Sequence, residues 1–358
     1  MNLSHSSNSE GEPPEAESAA HDRSVAAAAR VLAEQVPSGE VTLLGHIDPD
    51  ADALGTALAL GHALHDVGVS VRVSFAEPDD VPETLRGLDA AGLLVRPDDL
   101  PPTDRVLVAV DTPSIARLGW LGARVERTAS SGGAVVVIDH HASNMFYGTH
   151  NVVDPGAEAS AVVALRVLDA MNLPLTEPVA RGLYAGLLTD TSSFRRATPQ
   201  THRIAARLVA AGADPDEQGR VLLDDRPFAW LPMLSRVLAG ARLEAAAARG
   251  LGVVHAVVDL DVARDVRVEE VESVIDVLRS TSEAEVAFVL KERRPHAGVR
   301  QWSVSLRAKR AVNVAAVART LGGGGHHLAA GCRLEGEPEQ CIETLLAALS
   351  DAPLLESR

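Results

Sequence analysis

Between about residue 26 and residue 212 the apolar positions follow two alternating rhythms. Short unbroken runs of Val, Leu, Ile and Ala predict strands at Val41–Gly45, Val69–Phe75, Arg105–Val110 and Ala134–Ile138. Longer Ala/Leu stretches predict helices at Ala26–Glu34, Ala53–Val67, Ser160–Met171, Pro178–Leu188 and His202–Ala211. Strands that are apolar on both sides and alternate with helices build a parallel sheet covered on both faces. The expected fold class is therefore α/β, with a doubly wound parallel sheet over residues 23–212.

The rhythm then changes. Residues 213–250 read as a helical linker, with the dense Ala/Leu/Arg run Ser235–Arg249 as its long helix. A smaller α/β unit is expected over residues 251–350. Its strands are Gly252–Val258, Glu285–Lys291, Gln301–Ala308 and the short Cys332–Leu334; its helices are Val268–Ser280, Val312–Leu321 and a closing Pro338–Leu349. A Gly-rich loop precedes the last strand. Residues 1–22, rich in Ser, Glu and Pro, are expected to be a disordered leader. A chain of 358 residues is long enough for two moderate cores.

Composition narrows the function. Lys+Arg 33 against Asp+Glu 49 gives a formal charge of −16. Five of those negatives (Glu10, Glu12, Glu15, Glu17, Asp22) fall in the first 22 residues, which hold no Lys or Arg, leaving −11 for the rest. Gripping a long duplex needs a basic stripe to neutralise phosphates, so long duplex nucleic acid is not an expected partner. Aromatics at 3% mean that the cores must be built from Ala, Val and Leu. The two cysteines, Cys332 and Cys341, cannot make a disulfide framework and read as ordinary reduced side chains. No apolar run reaches membrane-spanning length and the N-terminus shows no secretion signal, so the expectation is a cytoplasmic protein without a membrane partner.

In a doubly wound sheet, ligands bind beyond the carboxyl ends of the strands, and polar clusters sit there. The first strand runs into Gly45-His46-Ile47-Asp48-Pro49-Asp50-Ala51-Asp52, the third into Asp111-Thr112 and the fourth into Asp139-His140-His141. A later helix ends in Leu188-Thr189-Asp190-Thr191. Taken singly, each cluster has an ordinary reading as turn residues or caps, and Asp52 reads as the N-cap of the helix starting at Ala53. Their coincidence argues otherwise. Several carboxylates brought to one sheet edge repel each other by several kcal/mol, of order, unless a cation compensates. A donor set of carboxylates and imidazoles without thiolate suits Mn²⁺ or Mg²⁺.

These motifs in this order, H-x-x-x-D-x-D, a strand-end Asp, D-H-H and an Asp before Thr191-Ser192-Ser193-Phe194-Arg195, resemble the DHH superfamily of phosphoesterases. The distal Val304-Ser305-Leu306-Arg307-Ala308-Lys309, Val312–Ala318 and Gly322-Gly323-Gly324-Gly325-His326 are similar to the DHH-associated substrate-binding domain. The likeness covers about residues 25–345. It fits best the branch of bifunctional oligoribonucleases (nanoRNases) that also act as 3′-phosphoadenosine-5′-phosphate phosphatases.

The resemblance implies two Mn²⁺ ions, with Mg²⁺ or Co²⁺ as substitutes. His46, Asp50 and Asp111 would hold one; Asp52, Asp111, His140 and Asp190 would hold the other, with Asp111 as the bridge. It further implies that Asp139 orients a ligating imidazole and that His141 faces the scissile phosphate as donor or general acid. Arg307, the glycines Gly323, Gly324 and Gly325, and His326 would bind substrate phosphate and ribose in a cleft between domains. The implied substrates are short RNA and 3′-phosphoadenosine-5′-phosphate, with linear or cyclic dinucleotides such as c-di-AMP close behind, and the implied assembly is a homodimer. Asp48 matches no ligand position. Thr56 stands where many relatives carry Ser, and His327 where Arg or Lys is often seen, which removes one phosphate-facing charge. The alternatives are an inorganic pyrophosphatase of the same superfamily, disfavoured by a chain with only two lysines, and a non-catalytic nucleotide-sensing module.

The remaining candidates read as structural. His62 and His65 are expected on a helix surface, Trp230 and Trp302 as packing anchors, and Arg293-Arg294 beside Lys291 as a solvated strand end.

Overall fold

The computed structural model describes residues 14–35, 39–296 and 298–355. The chain divides into two units at Asp224/Asp225. In the first, strands β1 (Glu40–Leu44), β2 (Ser70–Ser74), β3 (Val106–Val110), β4 (Ala134–Asp139) and β5 (His150–Val153) form one parallel sheet in the order β2-β1-β3-β4-β5. The pleat sorts side chains to two cores. Val106, Val108 and Val110 pack towards helices α1 (Pro14–Ala33), α2 (Ala51–His65), α4 (Ser160–Ala170), α5 (Glu177–Asp190) and α6 (Pro199–Ala210). Leu107 and Ala109 face the 3₁₀ segment Ile115–Gly122 and α3 (Ala123–Ser130). A short helix α7 (Pro215–Gly219) and a π-turn at Arg220–Asp224 close the unit.

The doubly wound sheet is as expected; three local readings are not. β5 was not anticipated, because a four-residue, half-buried edge strand carries almost no apolar signal. Helix α1 begins at Pro14, so residues 14–22 are helical rather than disordered, while residues 1–13 lie outside the described residues. Val25, Ala28, Ala29 and Leu32 bury its C-terminal half, and His21 bonds to Arg166 of α4 at 2.9 Å, tying the helix down beyond that apolar stripe. His62 is buried in α2, with Nε2 3.1 Å from the carbonyl of Leu88; only His65 is exposed.

Helix α2 is apolar all round because it lies between the sheet and α5. The two helices touch backbone to backbone at Gly55 and Gly182, where a Cβ on Gly55 would stand 2.6 Å from the Gly182 carbonyl. Only glycine permits that approach.

The second unit is a six-stranded sheet in the order β10-β11-β9-β8-β7-β6: β6 (Arg242–Glu244), β7 (Val253–Val258), β8 (Val286–His296), β9 (Val299–Ala308), β10 (Gly324–His326) and β11 (Ala329–Glu335). Among the described residues only the β7–β8 pair of this sheet is parallel. Helices α8 (Trp230–Ala239) and α11 (Val268–Leu278) cover one face, with the short α10 (Leu260–Ala263) beside them. The turn α9 (Ala247–Gly250), α12 (Val314–Thr320) and α13 (Pro338–Ser350) cover the other.

The long helix expected at Ser235–Arg249 does not form. The helix stops at Ala239 against Gly240, and Arg242–Glu244 becomes an edge strand antiparallel to β7. Pairing to an existing strand overrides the helix propensity of the Ala/Leu/Arg run. Trp302 is fully buried with Nε1 bonded to the Gly336 carbonyl, and Trp230 is half-buried with Nε1 on Ser273, so both are packing anchors. Among the described residues no helix is long and apolar enough to cross a membrane.

Candidate dimetal active site

The strand order reverses between β1 and β3, so the crevice of the doubly wound sheet opens at their carboxyl ends. His46 lies just past β1, and Asp50 caps α2, its Oδ1 accepting from the amides of Asp52 (3.1 Å) and Ala53 (2.9 Å). Asp111 follows β3 in the left-handed region at φ 56°, its amide bonded to the Ile138 carbonyl of β4 at 2.9 Å. The result is one convergent group. His46 Nε2 stands 3.6 Å from Asp50 Oδ2 and 3.5 Å from Asp111 Oδ2.

A second group forms on the other side of Asp111. His140 Nε2 lies 3.2 Å from Asp190 Oδ2, 3.5 Å from Asp111 Oδ1 and 3.9 Å from Asp52 Oδ2. The ring is anchored from behind by Nδ1, 3.2 Å from the Ala157 carbonyl. Asp52 is not the cap of α2. It is fully buried in the first turn and accepts from the amides of Ser160 (2.6 Å) and Ala161 (3.0 Å) and from Thr56 Oγ1 (3.1 Å). It thereby supplies the N-terminus of α4 with the acceptor that Ala159 lacks. Gly186 of α5 lies against this carboxylate, where any Cβ would collide with it.

Asp139 corrects one expectation. Its Oδ1 accepts from His141 Nδ1 at 2.7 Å and from the amide of His140 at 2.8 Å, so the imidazole it orients is that of His141, not the ring of His140. The D-H-H turn folds back on itself, which brings the nearer carboxylate to the second histidine. Asn144 Nδ2 donates to Asp139 Oδ2 at 2.5 Å and holds the carboxylate from the far side.

The electrostatics fit divalent cations. Burial lowers the basicity of His46, but Asp50 and Asp111 outweigh it and raise its pKa to about 10. Burial likewise opposes, and Asp190, Asp111 and Asp52 overcome, a rise at His140 to about 11. Burial and the charges of Asp190 and Asp111 push Asp52 well above the carboxylate range. These shifts mark an excess of carboxylate charge that bound divalent cations would neutralise. Oxygen and imidazole donors in two groups that share one carboxylate suit a pair of hard to intermediate divalent cations.

In the second unit, Arg307 of β9, Ala329 of β11 and His326 of β10 stand directly opposite one another across three strands. Opposed residues share a sheet face. The next row on that face is Ser305, Gly331 and Gly324, so Arg307 and His326 flank a floor of small residues. Gly324 and Gly325 of the Gly-rich stretch belong to the edge strand β10, while Gly322 and Gly323 stay in the turn before it. A Cβ at Gly325 (φ 134°) would lie 2.5 Å from the Ala329 carbonyl, so close strand approach explains that glycine better than a hinge does. Arg293 is half-buried and Arg294 exposed near the end of β8, as expected, whereas Lys291 beside them is buried, ion-paired to Glu272 and bonded to Ser305 Oγ at 2.7 Å.

The structure thus gathers His46, Asp50, Asp52, Asp111, Asp139, His140, His141 and Asp190 in the first unit. Asp48 stays out, in a left-handed loop position. Sequence reading missed three neighbours: Ser160, whose Oγ donates to Asp111 Oδ1 at 2.8 Å; Asn144; and Arg117, whose Nη2 is 3.0 Å from His46 Nδ1. None belongs to a local motif. Ser160 at a helix start and Asn144 in a turn look ordinary until the chain folds.

Comparison with known proteins agrees. The model of the DHH family, N-terminal domain, matches residues 40–187, and that of the DHHA1 domain matches residues 250–352. The chain is 31% identical over 327 residues to the bifunctional oligoribonuclease and PAP phosphatase NrnA of Thermus thermophilus, covering 90% of this chain and 93% of that one. It is 26% identical to the cyclic-di-AMP phosphodiesterase GdpP of Geobacillus thermodenitrificans over 85% of this chain and 46% of the relative. Among solved structures, an exopolyphosphatase-related protein from Bacteroides fragilis shares the fold, with a TM-score of 0.79 at 19% identity over 92% of this chain and 96% of that one. On these matches the chain belongs to the DHH family of phosphoesterases, its DHH domain followed by a DHHA1 domain.

Proposed function

We propose that this chain hydrolyses phosphoester bonds in short oligoribonucleotides and in 3′-phosphoadenosine-5′-phosphate with a pair of Mn²⁺ ions. His46, Asp50 and Asp111 hold one ion; Asp52, Asp111, His140 and Asp190 hold the other. The observation that carries the reading is the carboxylate of Asp111, with Oδ2 3.5 Å from His46 Nε2 and Oδ1 3.5 Å from His140 Nε2. One carboxylate thus serves two donor groups. Similarity along nearly the whole length of an oligoribonuclease and PAP phosphatase supports the substrate class. Similarity to a cyclic-di-AMP phosphodiesterase supports including linear and cyclic dinucleotides.

When bound, such a metal pair activates a water near neutral pH and neutralises the phosphoryl oxygens of an in-line displacement. The protein's own groups do the rest. Asp139 accepts the Nδ1–H of His141, fixes the ring and raises its pKa against burial, so the ring is held as the imidazolium whose Nε2–H goes to the leaving oxygen while Nδ1–H stays on Asp139. Arg307 and His326 take up a terminal phosphate, and Gly323, Gly324 and Gly325 let backbone come close to it. Pyrophosphate fits poorly, because both lysines are committed: Lys291 to Glu272 and Ser305, and Lys309 to the Thr281 carbonyl.

The test is phosphate and nucleotide release from 3′-phosphoadenosine-5′-phosphate, di- to pentaribonucleotides, c-di-AMP and pyrophosphate with Mn²⁺. Turnover of the first two classes is expected. Turnover of pyrophosphate alone would overturn the reading.

A further inference from the structure

We propose that Phe146 is the platform on which a nucleobase of the substrate stacks. The inference rests on the reading of this site as one for nucleotide phosphoesters, and extends it from the phosphate to the base. Phe146 is 62% exposed, and Met145 beside it is 72% exposed. Trp120 and Phe228 are exposed as well, at 53% and 83%, but of the three Phe146 is the one whose backbone is bonded to the residue that holds Asp139.

This ring is not on a loose loop. Its amide donates to Asn144 Oδ1 at 2.7 Å, and Asn144 Nδ2 in turn bonds Asp139 Oδ2 at 2.5 Å and the Thr112 carbonyl at 3.3 Å. The Met145 amide donates to the Pro113 carbonyl at 2.9 Å. On the other flank, the half-buried Tyr147 donates its hydroxyl to the Thr112 carbonyl at 3.0 Å and packs its ring against the core around Leu44 and Leu107. Phe146 is therefore clamped on both sides to Thr112 and Pro113, which follow Asp111, and to Asp139, which grips His141. The clamp holds it at φ 52°, a conformation a bulky side chain rarely adopts.

Strain that the surroundings over-determine persists beside working sites. Here its effect is to keep an aromatic ring in water on a segment bonded to the neighbours of Asp111 and His141. Every nucleobase has a π-face, so stacking gives affinity without selecting a base. It also gives affinity that the acidic charge of the protein does not oppose.

The test is steady-state kinetics of the wild type, Phe146→Ala and Phe146→Trp on a diribonucleotide and on the same diribonucleotide with one or the other base removed. For Phe146→Ala, KM on the intact substrate should rise about ten-fold or more, with kcat little changed. The variant should lose little further on one of the two abasic substrates, while Phe146→Trp should retain wild-type KM. Light scattering on each variant shows whether mass changes. If Phe146→Ala weakens intact and both abasic substrates equally, or weakens none, the platform is wrong while the proposed function stands. A change of mass with equal kinetic effects would assign the patch to a second copy of the chain instead. If the wild type hydrolyses no nucleotide at all, the proposed function falls and this inference with it.

Discussion

The hydroxyl of Ser160 donates to Oδ1 of Asp111 at 2.8 Å, and that oxygen is the one turned towards His140. The amide of the same serine donates to Asp52. One residue at the start of α4 therefore orients two carboxylates of the second donor group. Ser160→Ala should weaken metal binding about 10–100-fold, by analogy with other groups that orient ligands, and Ser160→Thr should restore most of it. Calorimetric titration with Mn²⁺ measures this directly. Unchanged affinity in the alanine variant would remove Ser160 from the site.

Metal loading should release protons. The surrounding carboxylates raise the pKa of His46 to about 10 and that of His140 to about 11, but an imidazole must be neutral to ligate. Apparent affinity should therefore fall as pH falls, with a proton displaced from each ring near neutrality. Titration in buffers of different ionisation enthalpy counts them. The sign for stability is the reverse of that for affinity: the raised imidazole pKa values stabilise the metal-free fold fully below their ordinary 6.5, and this stabilisation is lost as pH rises through about 10 to 11. A metal-free melting temperature that stays level from pH 7 to 11 would contradict it.

Asp139→Asn tests the assignment of acid and orienter. The amide carries no charge to hold His141 as the imidazolium, so kcat should fall about 10²–10⁴-fold. Metal content, measured by elemental analysis, should stay at the wild-type level, because Asp139 accepts from the His141 ring and not from that of His140. Loss of metal alongside activity would make it part of the metal-binding shell instead.

How much of this was visible in the chain depends on where each interaction is encoded. The parallel sheet and its strand-end clusters were legible because uniformly apolar runs and the polar residues that follow them are contiguous in sequence. The bond from Asp139 to His141 was not, because D-H-H gives no clue to which ring the turn folds back. Ser160 and Asp111 lie far apart in sequence, and nothing local to Ser160 marks it. The false helix at Ser235–Arg249 shows the opposite limit: its composition favours helix, but the edge of β7 offers ladder hydrogen bonds that only the folded unit supplies.

Substrate length should matter in a particular direction. With −11 outside the first 22 residues, phosphates beyond those the site holds meet net repulsion. Catalytic efficiency should peak at about two to a few nucleotides and fall for longer RNA, with only shallow dependence on salt because few counterions are released. A length series from dimer to 24-mer checks it. Rates that climb with length and collapse with salt would indicate a long-strand exonuclease.

Asp111, facing both donor groups, would join two metal sites into one catalytic centre. The most direct measurement is Mn²⁺ stoichiometry, by elemental analysis, together with turnover of 3′-phosphoadenosine-5′-phosphate in wild type and Asp111→Ala, before and after chelation. The expected result is two ions per wild-type chain, loss of tightly held metal in the variant, and loss of turnover whenever metal is lost. Full turnover by the exhaustively chelated wild type, or by Asp111→Ala, would contradict it.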